Sequence, residues 1–228
     1  MKARSSVGKK RIQSPETAGR NILTEAEAKR FLAAYGVPVV DEETASGAVE
    51  AAERAAAIGF PVVLKGLGAR LTHKTERGLV RLHLKDRAEV EAAAAAIAAA
   101  AGADLEGFLV QPMLAGRREF VAGMIRDDRF GPVIMFGLGG IYTEALRDVV
   151  FRIAPLEADE AARMPDELRA AALLGDFRGE AAADRGQIVR VLTGLSRLAL
   201  EHPDVAEIDL NPLLVEPDGR VTAVDALV

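Results

Sequence analysis

The 228-residue chain contains no cysteine and no tryptophan, and only 4% of its residues are aromatic. Without cysteine there are no disulfides, no thiolate nucleophile and no zinc–thiolate centre. So few aromatic rings argue against platforms that stack nucleobases or sugars. An excess of basic charge is also missing: 29 Lys and Arg stand against 34 Asp and Glu, a net charge of -5. Duplex nucleic acid is therefore not an expected partner. The longest apolar run, Ala92 to Ala103, is mostly alanine and only 12 residues long, too short to span a bilayer. No secretory signal is seen ahead of the first helix, so a soluble, cytoplasmic protein with no membrane partner is expected. What is present is enough apolar material for a sizeable core, at 50% hydrophobic and 28% charged residues, in a chain long enough for one or two domains.

Residues 1–20 show no periodicity and read as a disordered tail. Thr24 and Glu27 have the spacing of a capping box, which predicts a helix to about Tyr35, stopped by Gly36 and Pro38. An extended piece over 37–44 and an Ala/Glu-rich helix over 47–58 follow. Phe60 to Lys65 is a compact apolar strand ending in lysine, and 66–77 is a polar loop. Residues 78–84 alternate, with Leu82 and Leu84 expected inside and Arg81, His83 and Lys85 outside. Asp86 caps an alanine helix to Ala101. Strands are predicted at 108–113, 119–125, 132–136 and 149–153, with a glycine-rich loop over 137–147. Helices are predicted at 157–163, 166–174 and 184–201, and two strands flank Pro217-Asp218-Gly219. Short turns join most strand neighbours, so the class is α+β with antiparallel pairing. A hinge near 113–117 divides the chain into subdomains at 21–112 and 113–228.

The C-terminal hairpin carries the clearest chemical pattern. If Pro217-Asp218-Gly219 is a three-residue loop, Glu216 pairs with Arg220 and Asn211 falls opposite Asp225. Asp209 lies two residues before Asn211, on the same side of the strand. An amide and two carboxylates would then converge on a face shared with Leu213, Val215, Val221 and Ala223. Such oxygen donors suit Mg²⁺, which takes one or two protein carboxylates and fills its shell with water and phosphate. The other reading is a solvated outer face of an edge hairpin, and a one-residue slip would dissolve the arrangement.

Lys65 could place a point charge on a phosphate, or extend to solvent from its strand end. Gly137-Leu138-Gly139-Gly140 could offer backbone N–H groups to an anion or simply turn. It matches neither a P-loop nor a dinucleotide fingerprint. Among the three histidines, His83 reads as solvated and His202 as a helix-end residue. His73 lies in a polar loop shortly after Lys65.

Taken in order, several segments resemble the ATP-grasp domain of ADP-forming acyl-CoA synthetases. They are 23–38, 59–65, 73–80, 109–113, 119–155, 176–179 and 207–213. The resemblance implies an ATP-grasp fold, two α+β subdomains enclosing a nucleotide cleft. It implies that Lys65 contacts the phosphates of ATP or ADP, that Gln111, Pro112 and Met113 read adenine, and that Glu119 sits near the nucleotide. Gly139, Gly140 and Glu144 would line the phosphate-transfer region, with Arg152 and Arg178 as phosphate or partner contacts. Asn211 and Asp225 would hold Mg²⁺, and His73 would relay phosphate from a phosphohistidine on a CoA-binding, alpha-type partner subunit. The implied reaction is acyl-CoA + phosphate + ADP = acid + CoA + ATP, in a hetero-oligomer. An ATP-grasp-like regulatory module of a protein acyltransferase system is the alternative. Two departures from the family pattern, Leu79 after Gly78 and Glu180 to Ala183 after Gly179, bear on acyl preference and partner contact.

Overall fold

Thr24 starts the first helix, α1 (Glu25–Ala33), in the way its sequence requires. Its Oγ1 accepts the Glu27 N–H at 3.4 Å, and the Glu27 carboxylate accepts the Thr24 N–H at 2.8 Å. The computed structural model describes residues 22–71, 74–140 and 146–228; the expected tail, His73 and Glu144 lie outside them.

The front sheet contains β1 (Glu43–Ala45), β2 (Val62–Leu67), β3 (Val80–Leu84) and β4 (Gly107–Pro112), in the order β1-β4-β2-β3. Helices α2 (Ala48–Ile58) and α3 (Arg87–Ala101) cover it. Their inward faces are mostly alanine: Ala51, Ala52 and Ala55 on α2, and Ala93, Ala94 and Ala101 beside Val90 and Ile97 on α3. Small side chains at helical spacing let the helices lie close to Val62, Leu64, Phe108 and Val110 of the sheet.

The back sheet contains β5 (Arg118–Asp127), β6 (Gly131–Leu138), β7 (Val149–Ile153), β8 (Glu207–Val215) and β9 (Val221–Ala223), in the order β7-β6-β5-β8-β9. All named strand pairs are antiparallel. A short helix α4 (Ala158–Arg163) packs against the long α5 (Arg185–Glu201), which lies on the sheet over β5 and β6. α5 contributes Ile188, Val191, Leu192, Leu195 and Leu198, an apolar stripe at the 3.6-residue period. α1 joins this second core through Ala28, Phe31 and Leu32, although it precedes the front sheet in the chain. The two cores thus divide the molecule differently from a single cut at residue 112.

Three local expectations change. Residues 166–174 form two short 3₁₀ turns, Met164–Glu167 and Ala171–Leu174, in place of a helix. The β2–β3 register shifts between Val62 and Leu64, and His83 takes a positive φ of 59°, so Leu82 is turned out and 54% exposed. Lys65 lies inside β2, between Leu109 of β4 and Val80 of β3, so it does not extend to solvent.

Candidate functional site

The β8–β9 hairpin has the register its turn implies. Leu213 faces Ala223, Val215 faces Val221, and Asp209 exchanges both backbone hydrogen bonds with Leu227. Asn211 is therefore opposite Asp225. The expected sharing of a face with Leu213 and Val215 does not hold, because the β5–β8 register shifts between Phe120 and Ala122. Ile208 and Leu210 point to the core before the shift, and Leu213 and Val215 after it. Asp209 and Asn211 are left on the opposite side, away from the core.

That side meets a cluster of buried charge centred on Glu25. Its position in the first turn of α1 lets the positive end of the helix favour the carboxylate. Glu25 Oε1 accepts from Lys29 Nζ at 2.8 Å and from Lys65 Nζ at 2.6 Å, and Oε2 accepts from Lys74 Nζ at 2.6 Å. Lys29 also donates to Glu42 at 2.7 Å and to Gln111 Oε1 at 3.2 Å, which uses all three of its donors. Lys65 donates to the Val224 carbonyl at 3.1 Å and lies 3.5 Å from Asp225 Oδ2. Three lysines thus face three carboxylates, and the contacts tie α1, β2 and β4 to the end of the C-terminal hairpin.

Burial would raise the Glu25 carboxyl, but Lys65, Lys29 and Lys74 outweigh it and hold it well below the usual carboxylate range. Burial opposes the charge on Lys65, yet Glu25 and Asp225 hold its ammonium above its ordinary value. Burial pushes Asp225 up, with Glu25 adding to the effect and Lys65 opposing it. Asp209 is raised by burial and then by Glu207 and Asp225.

A cleft of about 340 Å³ opens on this cluster, lined among others by Thr24, Glu25, Gly68, Lys74, Thr75, Asp209, Asn211 and Asp225. Asp209, Asn211 and Asp225 bring to this cleft the kind of oxygen donors that Mg²⁺ takes. Among the described residues no group of three or more His, Asp or Glu is gathered for a metal. Two carboxylates that disfavour each other's charge, with one amide, suit a cation that completes its shell with water and phosphate. They fit.

A second cavity, of about 600 Å³, is lined by Glu119, Gly139 and Gly140 with Arg117, Arg118, Phe177 and Arg178. Gly139 donates its N–H to the Glu119 carbonyl at 2.8 Å, and a Cβ there would lie 2.9 Å from the Glu119 and Phe120 backbone. Only glycine permits that approach. Arg118 is buried, donating to the carbonyls of Leu173, Gly175 and Ala181 and pairing with Glu180.

The expected site residues therefore fall into separate groups. Asn211 and Asp225 line the first cleft, and Glu119, Gly139 and Gly140 the second cavity. Lys65 and Gln111 are buried behind Glu25 and Lys29 and line neither. Pro112 sits opposite Val62, and Met113 donates its N–H to the Pro61 carbonyl at 3.0 Å. Arg152 lies on β7, the edge strand, paired with Glu160 at 2.9 Å and with Glu167, and lines neither cavity. His202 is buried, its Nε2 2.8 Å from the Tyr35 hydroxyl, while His83 is exposed. Sequence reasoning missed Glu25, Lys29, Glu42 and Lys74. The available signal was Glu25 and Lys29 four residues apart and in line with the core residue Leu32, a charged pair on an inward stripe.

The sequence model of the ATP-grasp domain matches residues 15–228. The chain belongs to the ATP-grasp family. It is 39% identical over 209 residues to the acetate–CoA ligase [ADP-forming] I subunit beta of Pyrococcus furiosus, covering 90% of each chain. Among solved structures it resembles acetyl-coenzyme A synthetase 1 of Ca. Korarchaeum cryptofilum in complex with coenzyme A and Ca-AMPCP. That match has a TM-score of 0.87 and 40% identity, covering 92% of this chain and 93% of the other. A second structure of that enzyme, with coenzyme A and Mg-AMPPCP and a phosphohistidine segment pointing towards the nucleotide binding site, matches with TM-score 0.78, 38% identity and coverage of 92% and 93%. The two α+β layers with antiparallel sheets are thus the ATP-grasp fold that the resemblance implied. No helix among the described residues is long and apolar enough to cross a membrane.

Proposed function

We propose that this chain is the nucleotide-binding, beta-type subunit of an ADP-forming acyl-CoA synthetase. It would bind ADP or ATP with Mg²⁺ and act with a CoA-binding, alpha-type subunit that carries a phosphohistidine. The observation that carries the reading is the end-to-end match, over 90% of both chains, to a protein named as the beta subunit of such a ligase. The reaction in the ATP-forming direction breaks the N–P bond of the partner's phosphohistidine and forms a P–O bond to the terminal oxygen of ADP. His73 is the proposed relay, its imidazole nitrogen taking the phosphoryl group between the two.

Asp225 and Asn211, with Asp209 beside them, would hold the Mg²⁺, which when bound supplies charge neutralisation at the moving phosphoryl group. Lys65 keeps positive charge behind the cleft through Glu25 and Asp225. Gly139 and Gly140 hold the glycine loop against Glu119, at the cavity proposed to admit the partner's phosphohistidine segment with Glu144. The backbone around Gln111, Pro112 and Met113 is the proposed adenine edge.

Calorimetry tests this reading. ADP and ATP should bind the folded chain with Mg²⁺ present, and chelation with EDTA should weaken binding. Asp225→Asn should remove most of that Mg²⁺ dependence, because the amide takes away one of the carboxylates proposed to face the cation. Absence of any nucleotide binding by the wild-type chain with Mg²⁺ would refute the reading.

A further inference from the structure

We propose that Lys74 is the lysine that meets the terminal phosphates of the bound nucleotide, with Glu25 holding it at the cleft in the free protein. The inference rests on the nucleotide reading above and goes further by assigning a phosphate contact to a residue outside the expected set. The three lysines that share the Glu25 carboxylate are not equivalent. Lys29 has all three donors occupied, by Glu25, Glu42 and Gln111. The Lys65 side chain is 4% exposed, bound to Glu25 and to the Val224 carbonyl, and does not line the cleft. The Lys74 side chain is 16% exposed and lines the same cleft as Asp209, Asn211 and Asp225. Of the three, it is the one already facing the space where the proposed metal donors converge.

The charge balance gives Lys74 a reason to change partners. With Asp225 counted, three lysines are matched by three carboxylates. Once Asp225 serves a cation, only Glu25 and Glu42 remain against the three lysines, and one positive charge is uncompensated. Lys29 and Lys65 are buried and multiply bonded, so the excess falls on Lys74. An ammonium on a flexible stem is suited to exchange a carboxylate for a phosphate oxygen, because it binds either as a point charge.

The test is the affinity of the full chain for ATP, ADP and AMP by calorimetry with excess Mg²⁺, for wild type, Lys74→Ala, Lys74→Gln and Lys74→Arg. A lost charge-assisted contact should weaken ATP and ADP by about ten- to hundredfold in Lys74→Ala. AMP, which lacks the terminal phosphates, should change less than about threefold. Lys74→Arg should recover most of the ATP affinity. Lys74→Gln keeps a hydrogen-bond donor for Glu25 while removing the charge; it should behave like the alanine variant and serves if that variant does not fold. Equal losses for ATP and AMP, or unchanged affinities with a lowered melting temperature, would make Lys74 only a counter-ion for Glu25 and overturn the proposal. Failure of the nucleotide reading appears elsewhere, as a wild-type chain that binds none of the three, and takes this proposal with it.

Discussion

Replacing Lys29 by methionine removes one charge from a place that water does not reach. Lys29 is 1% exposed and satisfies two carboxylates and one amide oxygen. Methionine fills nearly the same volume, so the loss is electrostatic rather than a cavity. Glu25 keeps Lys65 and Lys74, but Glu42 loses its only ion-pair partner among the described contacts, and Gln111 loses a donor. Leaving a buried charge without its partner typically costs about 3–5 kcal/mol. For a chain of this size that corresponds to a fall of about 6–20 °C in melting temperature.

The pH dependence has a defined sign. Burial already holds the Glu42 carboxyl above its ordinary value, with Lys29 as the main opposing influence. Without Lys29 the folded-state value rises further above the unfolded one. Stability from such a raised group is present below the unfolded pKa and is lost as pH rises through the folded one. The deficit of Lys29→Met relative to wild type should therefore be small near pH 4.5 and grow towards pH 8, measured by thermal melts followed by circular dichroism. A deficit below about 1 kcal/mol at pH 8, or one that does not change with pH, would refute the view that Lys29 compensates buried carboxylates.

Two further substitutions separate structure from chemistry. Gly139→Ala places a Cβ 2.9 Å from the backbone of Glu119 and Phe120. Backbone on both sides must shift, so thermal melts should show a loss of about 1–3 kcal/mol; an unchanged melting temperature would mean that the contact is readily relieved. Arg152→Ala removes ion pairs with Glu160 and Glu167 that are partly open to solvent. It should cost less than about 1 kcal/mol and leave nucleotide affinity unaltered, and a large loss of affinity by calorimetry would return Arg152 to the site.

The fold was legible wherever one short stretch of sequence decided the local structure. Thr24 and Glu27 carry their own cap, Asp86 accepts the Glu89 N–H at 2.8 Å, and Val149–Ile153 stands where its apolar run predicts. The hairpin register followed from the turn alone, because a three-residue loop leaves one pairing. Failures came where a neighbouring strand intervened. Leu82 reads as a core residue by alternation, yet the irregular pairing of β3 with β2 turns it outward. The same kind of shift between β5 and β8 separates Asp209 and Asn211 from Leu213 and Val215; Pro212, which has no N–H to give the ladder and sits at the shift, was the one local sign of it. Residues 166–174 are apolar enough for a helix, but Pro165 and Gly175 bracket a segment that folds as two 3₁₀ turns.

The site was legible along the chain and hidden across it. Asn211 and Asp225 could be paired because one hairpin contains both. Lys65 could be singled out because a lysine in an apolar strand needs a reason, but the reason, Glu25, lies 40 residues away in α1. Lys74 reaches Glu25 across 49 residues and Gln111 reaches Lys29 across 82, separations that neither motif spacing nor helical period can register. Burial also inverts the expectation for these groups. Lysine and glutamate are ordinarily surface residues, so Glu25, Lys29 and Glu42 read as a solvated helix start and loop. They are interior because each charge finds an opposite one there, and the near-neutral cluster can be buried where its separate members could not. The chain's net charge of -5 gives no hint of this local balance. On the proposed reading a polyphosphate would be accommodated by a few positioned cations, whose positions are set by packing between the α1 start, the front sheet and the end of the C-terminal hairpin.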